Sequence, residues 1–192
     1  MVNLEDPVNP EKPVDPVDRL SPWLDEMADH PLPGAVSAGA VAAAMGAALL
    51  AKVARLAQQR QTGGTEDLRG FGELAGVQRR ELLHLARTDV KAFQLVLDAR
   101  DRPAARQAWQ DATDVPLRVA EACLALEDRL PALELHCPSA VLAELRTGAW
   151  LLEAGRRSGL LAAEANLKLW AEGAAGGRLR ARLDALKESS GD

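Results

Sequence analysis

A chain of 192 residues with 36 alanines, 31 leucines, no tyrosine and no isoleucine is composed for helices. Strands favour the branched and aromatic residues it lacks, and helices favour Ala and Leu, so all-β and Rossmann-like α/β folds are disfavoured for what is long enough to be one domain with a real core. Twenty-three basic and twenty-eight acidic residues leave a formal net charge of -5, mixed along the chain, which argues against general nucleic-acid binding, because that needs a basic face.

Residues 1–18 read as an arm outside the fold. Pro7, Pro10, Pro13 and Pro16 recur every three residues, which matches the threefold turn of polyproline II. A disordered tail is the plain alternative. Residues 19–192 read as a single helical domain. Ser21-Pro22 opens a short helix with a good N-cap and a good first residue, and Pro31 ends it. The start of the chain carries no secretory signal pattern.

Pro31 to Ala51 holds no charged residue, a length that could span a bilayer. It is mostly Ala and Gly, which contribute little to transfer into lipid, so it reads as a buried helix running from Pro33-Gly34 to about Gln61. Gly39, Ala43, Gly46 and Ala47 form a small-residue stripe along it. The stripe fits an internal helix crossing or a dimer seam.

Thr62-Gly63-Gly64 is a break. Thr65 caps the next helix, favoured by Glu66 and Asp67 in its first turn, and the helix runs to about Arg100 despite Gly70, Gly72 and Gly76. Pro103 opens a helix to about Leu130. Pro116 lies inside it and is expected to kink or split it. Pro131 and Pro138 bracket a connection, and a long helix spans about Ser139 to Trp170. Gly173, Gly176 and Gly177 precede a final amphipathic helix over 178–187. The sum is an all-α fold, an antiparallel bundle of about five to six helices.

Among candidate chemical groups, Glu81 and His84 form one Glu-x-x-His. A di-iron bundle needs two such motifs and two further Glu; His30 and His136 have no Glu three residues before them, so no metal site is expected. Cys123 and Cys137 lack metal-type spacing and read as reduced, partly buried thiols of a cytoplasmic protein. Asp89 is more informative. It lies beside the apolar face of Leu82, Leu85, Ala86, Phe93 and Val96, and Asp is a poor mid-helix residue. It is either solvated and paired with an Arg, or a buried carboxylate with a shifted pKa, able to transfer protons.

These residues resemble a known family, the cyclodeaminase domain of formiminotransferase-cyclodeaminase and the related methenyltetrahydrofolate cyclohydrolases. The family's Pro-Gly-Gly-Gly-Ser and Ala-rich helix appear as Pro33-Gly34-Ala35-Val36-Ser37 and Ala40 to Leu49. Its Asp-x-x-Ala-Phe appears as Asp89 to Phe93, its Val-Pro-Leu as Val115-Pro116-Leu117, and its Ile-Asn-Leu as Ala165-Asn166-Leu167. The likeness covers about residues 20–187. It implies a dimerising all-α bundle acting on a tetrahydrofolate derivative, with no covalently bound cofactor, no nucleic acid and no membrane. It implies a catalytic acid/base at Asp89.

The chain departs from the pattern where Ala35 and Val36 replace two glycines. The Gly-rich turn allows a left-handed backbone and close approach to a ligand, and Val36, branched at Cβ, is expected to resist that and narrow the site. The family's Ser-Asp at the start of the long helix falls on Ala143-Glu144, and its basic residue after the Ala-rich helix on Arg60. The expected substrate-binding set is Gly34, Ser37, Arg60, Glu144 and Asn166. Two functions follow: a folate one-carbon enzyme of cyclodeaminase or cyclohydrolase type, or a non-enzymatic relative that keeps the dimeric bundle for binding or assembly.

Overall fold

In the computed structural model, which describes residues 15–60, 65–170 and 173–190, every regular element is helical. The chain divides into two units between Pro33 and Gly34. The first contains α1, Pro16–Asp29. It starts earlier than Ser21-Pro22 because Asp15-Pro16 carries the same signature: the Asp15 side chain accepts from the Val17 N–H at 2.9 Å, and Pro16 takes the first helical place. Pro22 therefore sits within α1, where it cannot donate to the Asp18 carbonyl; both residues are exposed, so water can. Residues 1–14 of the expected arm lie outside the described residues.

The second unit contains α2 (Ala35–Arg60), α3 (Thr65–Asp98), α4 (Arg102–Glu127), the short α5 (Leu130–Glu134), a 3-10 turn at Ser139–Val141, α6 (Leu142–Leu169) and α7 (Gly173–Ser190). Four long helices alternate in direction. Ser37 meets Asp89 between α2 and α3, Phe93 meets Trp109 edge-on between α3 and α4, Asn166 meets Ala112 between α6 and α4, and Lys52 meets Glu144 between α2 and α6. Each pairing joins an early residue of one helix to a late residue of the other, so all four are antiparallel. The result is an up-down-up-down bundle, with α7 laid against α4 and α6.

By length and composition α2 could cross a membrane. Twelve of its residues are buried, packed against α3 and α6. The small-residue stripe is the crossing with α6. A Cβ added at Gly155 would lie 2.6 Å from the Ala43 Cβ and 2.8 Å from the Gly39 carbonyl oxygen; one added at Gly46 would lie 2.7 Å from the Gly148 oxygen. Small residues on both helices let the backbones touch, and dispersion between close-packed atoms replaces bulk as the source of cohesion.

Pro116 neither splits nor interrupts α4, which is continuous from Arg102 to Glu127. Its missing N–H leaves the Ala112 carbonyl without its helical donor. The side-chain amide of Asn166 supplies one at 2.8 Å. Gly159 gives α6 room to come this close, since a Cβ there would lie 2.5 Å from the Pro116 oxygen.

The expected glycine break before the last helix is also absent among the described residues: α7 begins at Gly173. Glycine weakens a helix but does not forbid one, and this one is held from its far end. Leu183 is buried with Leu117, Leu160 and Leu167, Arg182 bonds Glu121 and Asp114, and Lys187 bonds Glu164. The expected break at residues 62–64 lies outside the described residues.

Candidate functional site

The first N–H groups of α2 have no partners within the helix, and the helix dipole favours negative charge there. Antiparallel packing brings Asp89 of α3 to this end. The Ser37 hydroxyl lies 2.8 Å from Asp89 Oδ2 and 3.0 Å from the Ala86 carbonyl oxygen. The Ser37 backbone N–H also favours the ionised form of the Asp89 carboxyl. A carboxyl of α3 thus lies against the first turn of α2.

Ser37 is 1% exposed and Asp89 8%. Burial pushes the Asp89 carboxyl above the ordinary carboxylate range, because a charged group loses hydration there. Ser37 opposes that shift without cancelling it. No charged side chain of the described residues is among the influences on it. Of the two possibilities open in the sequence, solvated and Arg-paired or buried and shifted, the structure has the second.

Residues 35 and 36 form the first turn of α2, and no non-glycine described residue has positive φ. The expected clash between Val36 and a left-handed turn therefore does not arise. Val36 is buried in the core. Ala35 is exposed, and its carbonyl accepts from Ser158 of α6 at 2.8 Å. A Cβ at Gly34 would meet nothing within 4 Å.

Two of the other expected site residues lie elsewhere, Arg60 and Glu144. Arg60 is exposed at the far end of the unbroken α2, 23 residues from Ser37, or roughly 34 Å at 1.5 Å per residue. Glu144 pairs with Lys52 at 2.8 Å, and that bond holds its carboxyl below the usual range; Lys52 is about 22 Å along α2 from Ser37. Asn166 is bonded to Ala112. One protomer brings together Gly34, Ser37 and Asp89, and separates them from Arg60 and Glu144.

Glu81 of the Glu-x-x-His pairs with Arg118, and His84 is exposed beside Thr88. Cys123 is buried and Cys137 half-buried, both unbridged. Sequence reasoning missed the Ala86 carbonyl, which no side-chain pattern reveals. It also missed the α6 glycines, whose spacing at 148, 155 and 159 puts them on one helical face and could have been seen.

A family model described as Formiminotransferase-cyclodeaminase matches residues 20–185. The crystal structure of a formiminotetrahydrofolate cyclodeaminase from Thermotoga maritima is similar in fold, with a TM-score of 0.82 and 23% sequence identity over 88% of each chain. Comparison with curated proteins gives no match.

Proposed function

Because the chain belongs to the formiminotransferase-cyclodeaminase family, we propose that it acts on a one-carbon tetrahydrofolate with Asp89 as general acid/base. The observation that carries the reading is the buried carboxyl with its pKa raised by burial and, among the described residues, no cation that offsets it. Such a group sits nearer neutrality than a solvated one, and can take a proton and return it.

In the cyclodeaminase form, N10 of 5-formiminotetrahydrofolate attacks the formimino carbon and loses its proton to Asp89. Asp89 then gives that proton to the departing amino group. Ammonia leaves as its C–N bond breaks, and the 5,10-methenyl ring remains. In the cyclohydrolase form, Asp89 takes one proton from the attacking water and delivers it to N5 as that C–N bond opens, and the remaining hydroxyl proton passes to solvent as the formyl C=O forms. This proton chemistry calls on no covalently bound cofactor.

Gly34 and Ser37 flank Asp89 and belong to the same site. Arg60 and Glu144 can join it only from a second copy, given their distance along α2 and α6, so this reading includes a homodimer. Met45 and Trp150, which are 53% and 65% exposed on the outward stripes of α2 and α6, support one. Trp150→Glu should then yield monomers in sedimentation; an unchanged profile removes that face from the dimer.

The enzyme reading is tested with purified protein and 5,10-methenyltetrahydrofolate or 5-formiminotetrahydrofolate. The near-ultraviolet absorbance of the methenyl ring should fall in the first case or rise in the second, and Asp89→Asn should abolish either change. Absence of binding of any reduced folate at millimolar concentration would sink it. The second reading, a non-enzymatic bundle, draws support from the same pair: Ser37 and Asp89 satisfy each other and join α2 to α3 without any ligand.

A further inference from the structure

The Ser37 hydroxyl sits between two acceptors of unlike kind. Asp89 Oδ2 changes character with protonation, and the Ala86 carbonyl does not. A hydroxyl has one donor and two lone pairs, and its proton can rotate. Both oxygens are within hydrogen-bond range, at 2.8 and 3.0 Å. Ala86 precedes Asp89 by three residues on α3, so the helix fixes the two acceptors relative to each other. In the helix the Ala86 carbonyl accepts from the residue four ahead, and its second lone pair is available to Ser37.

We propose that Ser37 is a positioning residue whose hydroxyl turns between Asp89 and Ala86, holding the Asp89 carboxyl in one place whether it is ionised or neutral. When Asp89 is ionised, Ser37 donates to Oδ2. When Oδ2 carries a proton, it donates to Ser37 Oγ, and Ser37 turns its own O–H to the Ala86 carbonyl. No proton passes through Ser37, and every donor stays paired in both states. A fixed donor in its place would meet a second donor on protonation. The carboxyl therefore needs no reorganisation as it gives and takes a proton, which is what preorganised catalysis requires. The proposal rests on the acid/base reading of Asp89.

Among the described residues no charged side chain acts on the pair. Ala35 to Ala51 carry no charge. Arg87 and Lys91 flank Asp89 on α3 but are exposed. Burial and Ser37 are the influences on its ionisation.

The test is a pH titration by NMR of the Asp89 side-chain carboxyl carbon and the Ala86 backbone carbonyl carbon. In the wild-type chain both resonances should move with one midpoint, because the Ser37 O–H arrives at Ala86 only when Asp89 is neutral. In Ser37→Ala the Ala86 resonance should stop responding. The Asp89 midpoint should rise by about one pH unit or more, since the carboxylate loses a donor. Ser37→Thr, which keeps the hydroxyl, should restore the wild-type pattern. An Ala86 resonance that ignores the Asp89 midpoint in the wild-type chain overturns the proposal without recourse to any variant. These signals do not depend on turnover, so a chain that leaves every folate unchanged would end the enzyme reading and leave this one standing or falling by itself.

Discussion

The side-chain amide of Asn166 donates at 2.8 Å to the Ala112 carbonyl, the group that Pro116 deprives of its partner in α4. Two motifs fifty residues apart in their family pattern are thus one structural device. Asn166→Ala should leave that buried carbonyl unpaired and cost about 1–3 kcal/mol. Pro116→Ala in the same chain restores a backbone N–H and should recover most of the loss. Urea unfolding of the two single variants and the double variant measures the coupling, and additive effects would break the link.

The crossing of α2 and α6 predicts opposite signs for two glycine substitutions. Gly155→Ala places a Cβ 2.6 Å from Ala43 and 2.8 Å from a backbone oxygen, and should destabilise by about 1–3 kcal/mol. Gly177→Ala lies in α7 with nothing within 4 Å of the new Cβ. It should stabilise by about 0.5–1 kcal/mol through helix propensity. Thermal melts of both variants decide the matter.

The stability of the chain should record the state of Asp89. Its folded-state pKa lies above the ordinary value of 3.8. Between those values the folded chain binds more protons than the unfolded one, so stability falls as pH rises through that window. Asp89→Asn removes the effect. The variant should melt at a higher temperature than the wild-type chain at pH 7, with the gap closing as pH falls toward 4. A constant gap would mean that burial does not govern this carboxyl.

Arg182 ties α7 to α4 through Asp114 and Glu121. All three side chains are partly exposed, so Arg182→Met should cost only about 1 kcal/mol. The loss should be local. Amide hydrogens of α7 should exchange faster, while those of α2 keep their protection. Uniform acceleration in both helices would show instead that α7 supports the whole bundle.

The sequence revealed much of this architecture and less of its site. The Ala-rich segment after Pro33-Gly34 showed α2, because a long uncharged run of small residues has one good home, a crowded helix interface. Asp89 was visible for a related reason, as a carboxyl on an apolar face. Pro116 does not split α4 as one alternative had it, because a proline's effect depends on whether a donor from elsewhere reaches the orphaned carbonyl, and the Asn166 amide does. Gly173 misled because tertiary contacts further along α7 override local propensity. Arg60 and Glu144 were grouped with Ser37 through resemblance alone. The rise of two unbroken helices sets them far apart in one protomer, a distance visible only once the helices are known to be continuous.

The carboxyl proposed to do the chemistry is also joined to the first turn of α2 through Ser37. With Ala86 as the second acceptor, that junction between α2 and α3 keeps its partners whichever charge the carboxyl carries. A cycle of proton gain and loss would then leave the packing of the two helices unchanged, and the site would work as a rigid corner of the bundle.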